Sequence, residues 1–270
     1  MDDVAWTAYL TEQGCPPGRD NVIARLREGA ATSWLGGPAL APLPNWPRTP
    51  DGTPMAKVVT LSLAHLRLEA TESEPPRTPD GAPDSWENAA HILPSSGYLE
   101  LFHDLRTWGW EEGDEVSWVL RYVPEPESLE VVDPPEDLHT PTETCQEVIP
   151  LHGWTVPVGP GTDSEDVVEA LHRGWVVQRG LPAARSTEWV TPTSHVLGHG
   201  VADRATAEDA LANLLPLENE EDRWVLLLDL ESWTQFGDWW GDVPQVEVWL
   251  RRSDLRAARF DRAWLLVRAG

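Results

Sequence analysis

Lysine is all but missing from this 270-residue chain. Lys57 is the only one among 20 Lys and Arg, which face 45 Asp and Glu for a formal net charge of −25. A surface of that sign repels phosphate backbones and anionic head groups, which argues against nucleic-acid binding and membrane attachment and points to a basic protein partner. Cysteine is scarce too. Cys15 and Cys145 supply neither a disulfide framework nor a metal site. Long apolar runs are missing, the longest, such as Trp224 to Leu228, being about five residues, far short of a membrane span. Asp2 and Asp3, with no basic residue before Arg19, do not make a secretory signal, so a cytoplasmic protein is expected. Gly36-Gly37 and Gly159-Pro160-Gly161 are followed by no lysine and match no phosphate-binding loop, and no G-x-S-x-G elbow occurs.

Tryptophan, proline and glycine are plentiful: 16 Trp against three Phe and three Tyr, with 25 Pro and 20 Gly. The chain is therefore rich in turns, and its tryptophans exceed what a core alone requires, leaving some to anchor an interface. Asp20 is read as capping a helix through Glu28, with Val22, Ile23 and Leu26 on one face, so residues 1–30 form an N-terminal helical segment. Val58 to Leu66, Tyr98 to Phe102, Val116 to Val123, Trp224 to Leu230, Val246 to Leu250 and Ala263 to Arg268 read as strands. Ser164 to Leu171 and Thr206 to Leu214 read as helices. Residues 124–150, Pro- and Glu-rich, are expected to be the weakest stretch for order and the best linker candidate.

Two stretches echo each other. Trp34-Leu35-Gly36-Gly37, Val59 to Leu63, Tyr98 to Phe102, Asp104-Leu105-Arg106 and Trp118 to Tyr122 return in order as Val196-Leu197-Gly198-His199-Gly200, Leu226 to Leu230, Val246 to Leu250, Asp254-Leu255-Arg256 and Trp264 to Arg268. The fold class expected is mainly β (α+β). A duplicated antiparallel strand unit forms a multi-sheet, roll- or sandwich-like single domain with a few short helices. The domain is placed at 31–270, its pseudo-repeats at about 31–123 and 194–270, joined by the acidic segment and a helix.

Further motifs carry a family resemblance: Gly36-Gly37-Pro38, Pro44 to Pro47, Gly52-x-Pro54-Met55, Thr60-Leu61-Ser62-Leu63, Leu93-Pro94-x-x-Gly97-Tyr98-Leu99 and His195-Val-Leu-Gly198. Trp240-Gly241-Asp242, leading into Val246 to Leu250, Asp254-Leu255 and Phe260-Asp261-x-x-Trp264 complete the set. In order and spacing these resemble the YwqG-like family of bacterial proteins over roughly residues 30–270. The resemblance implies a mostly β, duplicated fold without an established reaction, and an immunity role beside polymorphic toxins. Thr60 stands where that family usually has Gln, and Val243-Pro244 where it has a Gly-rich turn.

No catalytic residue, cofactor or metal is nominated. His195, His199 and Asp203 have metal-ligand spacing, but Gly198 and Gly200 make the segment a turn. The stronger signal is aromatic residues among acids. Trp108, Trp110, Glu111, Glu112 and Asp114 form one such segment, and Asp238, Trp239 and Asp242 another. Tryptophans rimmed by carboxylates suit the capture of a basic protein patch. The function expected is a non-enzymatic binding protein, most concretely an acidic cytoplasmic immunity-type protein that neutralises a basic toxin. The alternative is an enzyme or small-ligand binder with its site in a cleft between the halves, for which His195, His199 and Asp242 are the residues to inspect.

Overall fold

The computed structural model describes residues 22–71, 92–125, 129–139, 145–154, 194–198, 200, 204–231, 240 and 245–268. Strand is the predominant regular structure among the described residues. A nine-stranded antiparallel sheet contains β1 (Val22–Gly36), β3 (Ala56–Ser62), β4 (Tyr98–His103), β5 (Trp118–Val123), β7 (Cys145–Trp154), β8 (His195–Val196), β9 (Trp224–Glu231), β10 (Gln245–Arg251) and β11 (Trp264–Arg268). Its order is β11-β10-β9-β8-β1-β3-β4-β5, with β7 also paired to β1. A separate pair joins β2 (Ala39–Leu40) to β6 (Val131–Val132). The helices are short: α1 (Leu63–Thr71), α2 (Arg204–Leu214) and α3 (Arg252–Arg256).

The β1/β7 ribbon joins two meanders. Val22 to Glu28 pairs with Trp154 to Val148, and Ser33 to Gly36 with Val148 to Cys145, across a bulge at Glu28/Ser33. The first stretch also carries β8, at Arg25↔His195, and the second carries β3, at Trp34↔Thr60. From these grow the meanders β3-β4-β5 and β9-β10-β11. The far strands of the two meanders meet. The Trp118 and Trp264 rings are edge-to-face at 5.2 Å, Trp118 Nε1–H donates to Ala263 O at 3.2 Å, and Tyr122 lies 5.9 Å from Phe260.

Strand β4 explains why alternation alone is a poor guide here. Leu99 and Leu101 enter the main core with Val59, Leu61, Leu120 and Leu228, while Phe102 packs on the other face with Ala39 and Met55. Trp46 covers Phe102 edge-to-face at 5.3 Å, its Nε1–H bonded to Met55 O. Both faces are covered, so every residue from Tyr98 to His103 is buried.

Several expectations need correction. Val22 to Glu28, expected as a helix, is strand. Val22, Ala24 and Leu26 fit period two as well as the helical pattern, and the ladder to β7 decides between them. The strand expected to reach Leu66 stops at Ser62, whose Oγ accepts the His65 N–H at 3.4 Å and opens α1. Residues 124–150, expected as a linker, supply β6 and part of β7. Glu125 accepts Gly97 N–H at 3.0 Å and Asp137 binds Arg48 at 2.7 Å, so the acids there are used as tethers. The helix expected at 164–171 lies outside the described residues.

Several features occur at both ends of the sheet. Two successive left-handed residues close the first partner strand, Gly36 and Gly37 at the end of β1, Leu197 and Gly198 after β8. A buried glutamate stands in each middle strand, Glu100 and Glu247. An arginine from each last strand reaches it, Arg121 at 2.8 Å and Arg268 at 3.7 Å. Each last strand opens with a Trp.

Candidate interaction surface

The loop from β4 to β5 carries the sequence-nominated Trp108, Trp110, Glu111, Glu112 and Asp114. Its entry is fixed by Asp104, whose Oδ1 accepts the N–H groups of Arg106 and Thr107 at 2.9 Å and whose Oδ2 accepts the Thr107 hydroxyl at 2.7 Å. Burial pushes the Asp104 pKa up, but these three donors more than offset it, and the carboxyl sits below its ordinary range. The loop then lies on β11. Val267 N–H donates to Trp108 O at 2.9 Å, Trp264 Nε1–H to Gly109 O at 2.8 Å and Trp110 Nε1–H to Val267 O at 2.9 Å. Gly109 makes this approach possible. At φ +79° a Cβ there would lie 1.8 Å from Leu265 O. The Arg268 guanidinium lies 5.6 Å from the Trp110 ring.

With the backbone held this way, Trp110 is half-buried and Trp108 stands 48% exposed. Val116, expected to open a strand that in fact begins at Trp118, is 49% exposed. The carboxylates divide. Asp114 Oδ2 accepts Glu111 N–H at 3.2 Å and Glu115 accepts Gly113 N–H at 2.9 Å, so these two brace the turn. Glu111 and Glu112 are exposed. The result is an indole on a braced loop with carboxylates on its rim, an arrangement that can accept an apolar contact and an arginine or lysine. The second nominated segment, Asp238, Trp239 and Asp242, lies outside the described residues.

Trp240 is buried and points inward. Its Nε1–H donates to His103 Nδ1 at 3.3 Å, as does Leu105 N–H at 2.9 Å. A nitrogen accepting two donors carries no proton, so His103 is neutral with its proton on Nε2. Burial agrees, drawing its pKa down to about 4 against the pull of Asp104.

His195, the residue to inspect for a small-ligand site, is buried. Its Nε2 is 3.9 Å from Asp229 Oδ2. Asp229 stands opposite Glu247 in the ladder, and both are buried. Burial raises the Glu247 pKa, while Arg268, the Trp249 indole N–H at 2.9 Å and Arg204 act to lower it. Gly200 lies over these carboxylates, and a Cβ there would be 2.6 Å from Glu247 Oε1. His199 and Asp242 lie outside the described residues. Among the described residues no group of three His, Cys, Asp or Glu could hold a metal ion. No described helix is long and apolar enough to cross a membrane.

Lys57, the single lysine of the chain, is fully buried. Its ammonium donates to Gly36 O at 2.6 Å and stands 4.6 Å from the Trp34 ring. The strand expected to begin at Val58 begins at Ala56 and takes Lys57 in; a single lysine next to an apolar strand is the signal that sequence offered.

The fold and this surface define a mainly β, strongly acidic protein with a braced aromatic loop. The chain belongs to the family described as Domain of unknown function (DUF1963), which it matches over residues 82–268. That span takes in the candidate loop and both meanders except β3. No curated protein matches the chain.

Proposed function

We propose that this is a non-enzymatic binding protein that takes a basic protein partner, and that it acts as an immunity-type protein, in the bacterial cytoplasm, masking a basic toxin domain. The observation that carries the binding reading is Trp108, half exposed on a loop fastened to β11 and rimmed by Glu111 and Glu112. Burying a large apolar side chain deep inside would have been favourable, and the fold instead holds this one outward on a rigid support. Indoles on rigid supports are the residues that dominate interface energetics, often by about 2 kcal/mol or more each. The net charge of −25 would steer a basic partner and speed its arrival.

The toxin is supported by the resemblance to YwqG-like proteins. The duplicated unit is supported by the recurring left-handed turn, buried Glu–Arg pair and leading Trp of each meander.

The test is capture from the native cell lysate on immobilised wild-type protein and on Trp108→Ala, at low and high salt. A stoichiometric basic protein, encoded nearby, should be held at low salt, released at high salt and lost with Trp108→Ala. Retention of the same partner by both proteins would move the interface elsewhere. A blank with wild type at both salts would remove the binding reading.

A further inference from the structure

The β2/β6 pair exposes a second surface of different character. Leu40 stands opposite Val131 and Ala39 opposite Val132, and Ala41 N–H donates to Glu130 O at 2.9 Å. In an antiparallel ladder successive residues turn their N–H and C=O groups alternately toward and away from the partner strand. Glu130 is turned to β2, so Val131 is turned outward. Strand β2 obeys the same alternation on its far side. Leu40 N–H donates to Glu100 Oε1 at 2.9 Å, and Leu40 O accepts from the Arg121 guanidinium. The Glu100–Arg121 pair therefore stands in for a neighbouring strand on that edge. On the other edge, β6 has no second strand among the described residues.

The side chains at that edge are unusual for an open one. Leu129 and Val131, two residues apart, are each 52% exposed. Open edges are normally blunted by lysine, proline or a bulge against stray pairing. Here the apolar pair sits in an acidic setting: residues 124–139 hold six Asp and Glu and no Lys or Arg. A strand laid along this edge would find backbone partners at Val131, apolar contact at Leu129 and Val131, and carboxylates on either side.

We propose that the outer edge of β6 takes an extended, basic segment of a partner protein as an added strand, with apolar side chains on Leu129 and Val131 and arginines or lysines between them. This does not depend on the Trp108 loop, which is a different surface.

The probe is a heptapeptide of alternating Arg and Val, with a control of equal charge whose central Val is Pro. Amide exchange and backbone NMR shifts are followed on the full chain. Bound peptide should slow exchange of the Val131 amide by about tenfold or more and shift residues 129–133. Val131→Pro, which removes the outward N–H and leaves the charge unchanged, should weaken binding about tenfold or more. Trp108→Ala should bind the peptide like wild type, so this idea and the loop reading can fail separately. If Val131→Pro also frees the Ala41 amide, the wild-type exchange result decides alone. Equal binding of the Pro peptide, shifts confined to the loop at 104–116, or protection of Val131 by self-association without peptide would each overturn the proposal.

Discussion

Lys57 offers the sharpest physical test of the fold. Burial holds its pKa down at about 7, with Glu100 and Cys145 acting in the opposite direction, whereas a lysine in an unfolded chain titrates near about 10.4. Between these values the unfolded state binds more protons, so stability rises with pH. The cost of Lys57 is fully present below pH 7 and is lifted as pH climbs toward the unfolded value. A difference of about 3.4 pH units corresponds to roughly 5 kcal/mol over the whole window. From pH 7 to pH 9.5, with the folded-state lysine already half deprotonated at the start, about 3 kcal/mol should appear. The perturbation is Lys57→Met, which keeps the stem in the core and removes the charge. It also forfeits the hydrogen bond to Gly36 O, which the neutral amine still donates, a loss of about 1 kcal/mol that does not depend on pH. Urea unfolding of both proteins, followed by tryptophan fluorescence, gives the difference in stability at each pH. Wild type should gain about 3 kcal/mol on the variant between pH 7 and 9.5. Because the chain has no other lysine, no second amine side chain can blur the result. A difference constant to within about 1 kcal/mol would refute the reasoning, for it would mean that the ammonium is solvated in the folded protein.

Gly109→Ala should cost about 3 kcal/mol, since the loop must leave β11 and its three hydrogen bonds there are strained or lost. Gly113→Ala, with open space around its Cβ position but φ +100°, should cost only about 1 kcal/mol, and urea midpoints will rank the two. Glu100→Gln should cost about 3 kcal/mol or more, because Arg121 loses its carboxylate partner and β2 its anchor. Glu247→Gln should cost less, as burial already pushes the Glu247 carboxyl toward its neutral form and the amide removes that desolvation cost; thermal unfolding that shows the reverse order would contradict this account. Trp108→Ala should leave stability within about 0.5 kcal/mol, which separates a loss of binding from a loss of fold.

The later strands were legible in sequence because each is a dense apolar run bounded by turn residues: Trp224 to Leu230, Val246 to Leu250 and Ala263 to Arg268 all fall within one residue of the observed ends. The N-terminal stretch was not. Val22, Ile23 and Leu26 suit a helix as Val22, Ala24 and Leu26 suit a strand, and only β7 and β8, more than a hundred residues on, select the strand. Such long-range pairing leaves no local trace. The same holds for residues 145–150, whose Pro150 and nearby acids suggested the end of a linker. At the candidate surface, Trp108 and its acids could be picked from composition, but their division of labour could not. Asp114 and Glu115 turn back on the loop's own N–H groups and Glu111 and Glu112 do not, a distinction made by the left-handed turn at Gly113 rather than by residue type.

The two buried glutamates show how structure can divide a recurring pattern into different uses. Each stands at the centre of a meander and each is reached by an arginine from the last strand. Their neighbours differ. Opposite Glu100 is Thr60, whose hydroxyl donates to it at 2.8 Å, and the remaining capacity of the pair is taken up by the backbone of Leu40. Opposite Glu247 is Asp229, a second carboxylate, with His195 on its far side. The first arrangement satisfies one charge with one arginine and neutral donors, and it uses the surplus to hold β2. The second places two carboxylates in a buried layer, and desolvation there raises the Glu247 pKa against the pull of Arg268, Trp249 and Arg204. The first glutamate thus works as a peg for a short strand, and that peg fixes which edge of β6 faces β2 and which has no second strand among the described residues.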